Sequence, residues 1–312
     1  MIEARQLTKF FGQTKAVDNV SFTVKKGEVL GFLGPNAAGK STTMRMIVGY
    51  LPPTSGSALI GGADVTSDSL TARRLLGYLP ENAPVYPDMS VTAFLDFVAK
   101  IRGFSGAARK KAVNDTIEKC FLTEVRRQTV GTLSKGFKQR VCFAQSILHD
   151  PPYLILDEPT DGLDPNQKHE VRSMIRAMGR DKAIILSTHI LEEVEAVCTR
   201  AVIIARGVIV ADDTPEGLRL MSAVHGCVNL TVAAAAENQA AEAMRGIEGV
   251  TKVEVLERAR SGVTLRAYPA PGLAALADSV ARKLAEAGVA IESLETERGR
   301  LDEVFRRITL KK

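Results

Sequence analysis

Gly34-Pro35-Asn36-Ala37-Ala38-Gly39-Lys40-Ser41 fits the pattern G-x-x-x-x-G-K-S/T, the spacing of a loop that wraps phosphate groups. Its chemistry is anion binding. Backbone N–H groups at the glycine-rich turn and the following helix start converge on one concavity, and the helix dipole adds positive potential there. Lys40 is placed to reach β- and γ-phosphates, and the Ser41 hydroxyl to reach Mg²⁺. Such a loop needs a metal carboxylate and a group that orients water. Tyr153-Leu154-Ile155-Leu156-Asp157-Glu158 provides both at the end of an apolar run. Asp157 is expected to hold Mg²⁺ through a water, and Glu158 to polarise the attacking water.

Elements of alternating type must position these groups. Val29–Leu33 reads as a short apolar strand and Thr42–Tyr50 as the helix after the loop. Tyr153–Leu156 and Ala183–Leu186 repeat the buried-strand pattern, which predicts an α/β core with helices on both faces of the sheet. Residues 2–8, 20–26 and 57–61 alternate weakly and predict a small antiparallel sheet. From Val91 to Ile147 apolar residues recur at helical spacing, so a helical insertion is expected, about 88–150.

After Leu220 alanine becomes frequent, and Met221–Gly226 reads as a loop before new elements. Strands are expected at Val228–Val232, Val253–Glu257, Val263–Ala267 and Val289–Leu294, and helices at Gln239–Ile247 and Leu273–Ala287. The order βαββαβ is that of a ferredoxin-like α+β unit. A short last helix is expected near Leu301–Ile308. The domains predicted are 1–220 and 226–312.

Composition narrows the function classes. The chain has 312 residues, 45% apolar and 25% charged, the profile of a globular protein with ample core. No apolar stretch approaches the roughly 18 residues that cross a bilayer, and Met1–Phe10 lacks the order of an export signal, so a cytoplasmic chain is expected. The four cysteines, Cys120, Cys142, Cys198 and Cys227, form no CxxC pair, which leaves zinc and redox motifs without support. A net charge of +5 spread along the chain suits an anionic ligand, a membrane surface or a solvated exterior equally well.

Between the phosphate loop and Asp157 lies Leu133-Ser134-Lys135-Gly136-Phe137-Lys138-Gln139-Arg140. Here the chain resembles the ATP-binding cassette (ABC) family, whose signature reads LSGGQ. The resemblance covers residues 1 to about 220 and continues in order with Thr160-Asp161-Gly162-Leu163-Asp164, similar to the D-loop, and Ser187-Thr188-His189, similar to the switch-histidine segment. It implies an α/β P-loop cassette with a small antiparallel β subdomain and a helical subdomain. It implies ATP and Mg²⁺ as ligands, Glu158 and His189 as catalytic groups, Thr42 as a further nucleotide contact, and Phe11 as an aromatic stacked on adenine. Gly77-Tyr78-Leu79-Pro80-Glu81 aligns with the Q-loop, with Glu81 where glutamine usually approaches Mg²⁺.

The family's mechanism implies a second copy of the chain, whose Ser134 and Gly136 present a helix start to the γ-phosphate, with Asp164 in the D-loop between. Three positions depart from the pattern. Ala37 stands where this family often has glycine; a Cβ at positive φ costs roughly 1–2 kcal/mol. Lys135 and Phe137 replace Gly and Gln of the signature, and Glu81 replaces Gln.

The LPEN-type loop, the LSKG signature and Leu301-Asp302-Glu303-Val304-Phe305 after the βαββαβ tail resemble ATPase subunits of ABC-2 exporters, with gliding-motility and multidrug-type cassettes coming nearest. That resemblance implies an ATPase peripheral on the cytoplasmic face of the membrane, partnered by an integral-membrane permease and not by nucleic acid. The alternative is a soluble ABC ATPase acting on a non-transport macromolecule. Translation factors of that kind carry two cassettes and chromosome ATPases a long coiled coil; one phosphate loop and no heptad run fit neither.

Overall fold

The computed structural model describes residues 1–82, 84–259, 261–270 and 276–310. They form two units, one of Met1–Pro215 with Ile308–Leu310, the other of Glu216–Arg307.

The first unit begins with a hairpin of β1 (Ile2–Phe11) and β2 (Thr14–Val24), and Phe11 pairs with Thr14 across its turn. Then come β3 (Val29–Leu33), α1 (Lys40–Ile47), β4 (Ser55–Ile60), β5 (Ala63–Asp64), α2 (Ser69–Leu75) and β6 (Leu76–Leu79). The helical insertion supplies α3 (Val91–Ile101), α4 (Gly106–Lys119) and α5 (Lys135–Ile147). The chain returns through β7 (Tyr153–Asp157), α6 (Pro165–Gly179), β8 (Ala183–Thr188), α7 (Leu191–Val197), β9 (Arg200–Ala205) and β10 (Val208–Asp213).

The first four outer strands make an antiparallel sheet of order β2-β1-β4-β5, and the core sheet runs β10-β9-β3-β8-β7-β6. In the latter only β10 is antiparallel to its neighbour. Alternation along its strands divides two cores. Leu154, Leu156, Ile184 and Leu186 pack with Phe94, Leu95 and Phe143 of the helical insertion. Ile155, Ile185 and Val202 pack with Met44 and Ile47 of α1 and with Ile2, Leu7 and Phe22 of the outer sheet. A strand buried on both faces must be apolar at every position, as Val29–Leu33 and Ala183–Leu186 are.

The register aligns the carboxyl ends of the central strands: Leu33 lies beside Thr188, and Asp157 beside Ser187. Gly34, Glu158 and His189 each follow directly, so three chemically charged loops open at one edge of the sheet, where parallel α/β sheets place ligands. The helix after the phosphate loop spans Lys40–Ile47, earlier at both ends than the expected Thr42–Tyr50. Gly39, at φ 106, is its N-cap, and Gly49, at φ 70, supplies a left-handed exit.

The second unit contains the rest of α8 (Pro215–Leu220), followed by β11 (Val228–Val232), α9 (Glu237–Arg245), β12 (Val250–Arg258), β13 (Val263–Pro269), α10 (Leu276–Glu286), β14 (Ser293–Thr296) and most of α11 (Leu301–Leu310). Its sheet, β12-β13-β11-β14, is antiparallel throughout, the ferredoxin-like order. Val228, Leu230 and Val232 face Ala240, Met244, Val280 and Leu284 of the two helices. The expected helix start at Leu273 lies outside the described residues.

The last strand is Ser293–Thr296 rather than Val289–Leu294. Gly288 is left-handed at φ 70, and Val289 N donates to Leu284 O at 3.0 Å, a helix-ending motif that buries Val289 against the helix. The apolar alternation there belongs to a cap.

Candidate active site

The phosphate loop is shaped by close backbone packing. A Cβ on Gly34 would lie 2.5 Å from Ile204 O, and one on Gly39 2.6 Å from Ala16 O, so neither position admits a side chain. Ala38 O accepts from Gly207 N at 3.0 Å. Ala37 does sit at positive φ, 61°, so the Cβ strain raised by its departure from glycine is present. No side chain caps α1 and no acidic residue occupies its first turn, which leaves its N–H groups and dipole available to an anion.

Lys40 is buried, and its Nζ donates to Gly34 O at 2.7 Å and Pro35 O at 3.2 Å. Burial holds its ammonium below the usual lysine value, against the charges of Glu158, Asp157 and Glu81, which raise it. Three carboxylates therefore act on one lysine, although Glu81 comes from a loop far away in sequence.

Asp157 is almost wholly buried, and no hydrogen bond of ordinary geometry reaches its Oδ1, although the Ser187 hydroxyl on the adjacent strand acts on the carboxylate. Burial raises the Asp157 carboxyl above its ordinary value, opposed first by the Ser187 hydroxyl and then by the charge of Lys40. An orphaned buried carboxylate oxygen fits a cation site. No group of three or more His, Cys, Asp or Glu side chains converges among the described residues. The Asp157 carboxylate would fit a cation that takes its remaining oxygen ligands from phosphates and waters.

Glu158 takes a left-handed backbone, φ 50. Its N–H donates to Ser187 O at 3.0 Å, and its carbonyl accepts from Gln139 Nε2 at 3.3 Å and from Asp161 N at 3.2 Å. Both carboxylate oxygens lie 3.0 Å from Nδ1 of His189. Burial raises the Glu158 carboxyl above its ordinary value, and the His189 contact pulls it back.

A cavity of about 680 Å³ collects Phe11, Asn36 through Thr42, Glu81 and Glu158. Phe11 is half exposed at its mouth, with Lys9 Nζ 5.6 Å from the ring centre. Gly34 and Pro35 are not in its lining; their carbonyls hold Lys40. Lys15 and Arg206 also line the cavity and were not anticipated. Both sit beside tight hairpin turns, Gly12-Gln13 and Arg206-Gly207, and a basic residue at such a turn carries no signal in one dimension.

A family profile described as ABC transporter matches residues 17–161. The Nod factor export ATP-binding protein I of Burkholderia lata is 37% identical over 218 residues, covering 70% of this chain and 72% of that protein. This chain belongs to the ABC transporter ATP-binding family. The probable multidrug ABC transporter ATP-binding protein YbhF of Escherichia coli is 40% identical over 224 residues, 72% of this chain; the chain spans 39% of that relative's length. A solved ATP-binding subunit of an ABC transporter superposes with a TM-score of 0.66 at 30% identity, covering 70% of this chain and 92% of that one.

In this cassette the signature segment lies apart from the phosphate-loop cavity, whose lining includes none of Leu133–Phe137. Ser134 caps α5 by accepting from Phe137 N at 3.4 Å, and Asp164 caps α6 by accepting from Gln167 N at 2.9 Å. A Cβ on Gly136 would meet Gln167 Oε1 at 2.5 Å. The two departures from the signature point away from one another in chemistry. Lys135 Nζ binds Asp161 Oδ2 at 2.6 Å, and Phe137 packs on the helical core beneath the Arg140 guanidinium, 5.7 Å from its ring centre.

Proposed function

We propose that this cassette hydrolyses ATP between two copies of the chain and drives a separate membrane-spanning permease of export type from the cytoplasmic face. The observation that carries the reading is Glu158, which lines the same cavity as the Lys40 loop and is held by His189, itself not part of that lining.

In this reading Phe11 stacks on the adenine, and the backbone from Gly34 to Gly39 with Lys40, Ser41 and Thr42 holds the phosphates. Ser41, Asp157 and Glu81 hold Mg²⁺, which when bound neutralises charge on the phosphates. Glu158 accepts a proton from the attacking water, and His189 holds that carboxylate in place. Ser134 and Gly136 of one copy close on the γ-phosphate held by the other, with Asp164 between the sites. Their separation from the phosphate loop within one chain supports a site completed by a second copy.

No described helix is long and apolar enough to cross a membrane; in this reading the transport pathway lies in a partner. A groove of about 1260 Å³ beside the helical insertion exposes Tyr50, Leu70, Tyr86 and Ile101, an apolar surface suited to a permease segment. The export function in the name of the Burkholderia lata relative supports the direction. The test is ATP turnover by the purified chain, with Glu158→Gln retaining ATP and accumulating as a dimer by light scattering. A monomeric wild type that turns over ATP at full rate across all concentrations would exclude the shared site.

A further inference from the structure

Glu193 on α7 is 1% exposed, a carboxylate buried in a part of the core that the sequence patterns do not single out. Its Oε1 accepts from the Thr160 hydroxyl, and its Oε2 accepts from Thr188 Oγ1 at 2.8 Å. Arg172 Nη2 of α6 stands 3.7 Å from Oε1. Thr188 Oγ1 also accepts from Ile190 N at 3.0 Å, so the turn holding His189 is tied on both sides.

Thr160 lies two residues after Glu158, and Thr188 directly precedes His189. One buried side chain therefore bridges the two segments whose side chains meet at 3.0 Å. Desolvating a carboxylate is costly, and an apolar residue would fill the same space more cheaply unless the charge sets a geometry. Glu158 in turn needs such restraint, because a non-glycine residue in the left-handed region persists only where its surroundings over-determine it.

We propose that Glu193 is a positioning residue: by clamping Thr160 and Thr188 it fixes the Glu158 carboxylate against His189. This rests on the hydrolytic reading of that pair. The prediction for Glu193→Gln in the full chain is a fall in kcat of roughly ten- to a hundredfold with KM for ATP little changed, the signature of displaced reacting groups. Thr160→Val and Thr188→Val, which remove the hydroxyls with little change of volume, lower kcat in the same way, and Thr160→Ser and Thr188→Ser recover most of it. The losses of Glu193→Gln and either Val substitution combine less than additively, because they break one network.

A second readout needs no turnover. The His189 imidazole signal in the protein's NMR spectrum, identified by its loss in His189→Gln, shifts in Glu158→Gln and shifts likewise in Glu193→Gln and in both Val variants. An unmoved His189 signal in all three, or a kcat within twofold of wild type in all three, overturns the proposal. If the wild-type chain shows no ATP turnover, the hydrolytic reading fails by itself, and the His189 signal still decides whether Glu193 positions the pair.

Discussion

Glu158 presents both carboxylate oxygens to Nδ1 of His189 at 3.0 Å while its own backbone occupies the left-handed region at φ 50. The left-handed backbone ends β7 at Asp157; a continued strand would have sent the Glu158 side chain to the sheet face opposite that of Asp157. Burial then works against ionisation of the carboxyl, and the histidine works for it.

That opposition sets the pH dependence. A general base must be ionised, so activity is lost as pH falls through the raised Glu158 value, above the ordinary 4.5. His189→Gln removes the contact that most lowers this value, leaving only the Lys40 charge against burial, so the acid limb of the kcat profile moves to higher pH. A limb that stays in place or moves down would show that His189 does not act on Glu158.

Lys40→Ala should abolish tight nucleotide binding. Hydrogen bonds to charged groups contribute about 1.5–3 kcal/mol each, so losing two phosphate contacts weakens ATP affinity on the order of a hundredfold or more. Calorimetric titration checks this. Wild-type affinity in the variant would discredit the phosphate-loop assignment. Because the ammonium is buried among loop carbonyls in the free chain, the variant's unfolding should be measured beside its binding.

Ala37→Gly should stabilise the protein. The Cβ at φ 61 costs roughly 1–2 kcal/mol, and the greater freedom of glycine in the unfolded chain returns part of that, for a net gain of up to about 1 kcal/mol. Urea unfolding without nucleotide measures it. A loss of stability would mean that the Ala37 methyl makes a compensating contact.

Glu81→Gln should raise the Mg²⁺ concentration needed for half-maximal turnover by several-fold, since it removes one of three carboxylates whose charges act on Lys40. ATP affinity without metal should rise slightly, as a negative charge leaves the cavity mouth. Unchanged metal dependence would place Glu81 outside the metal's shell.

Much of this protein was written locally. The phosphate loop, the Asp157-Glu158 strand end and the buried strands could be read from short windows, because apolar runs and glycine spacing act over a few residues. The βαββαβ tail was legible for the same reason, except where Gly288 turned an apolar alternation into a helix cap. What required the tertiary structure was convergence. Only the parallel register sets Leu33, Asp157 and Thr188 at one edge, and only folding brings Glu81, Lys15 and Arg206 to the cavity of Lys40. Glu193 shows the limit most plainly: in sequence it is one more acid on a charged helix, and its burial against Thr160 and Thr188 follows from how three segments pack, which no single segment's period encodes.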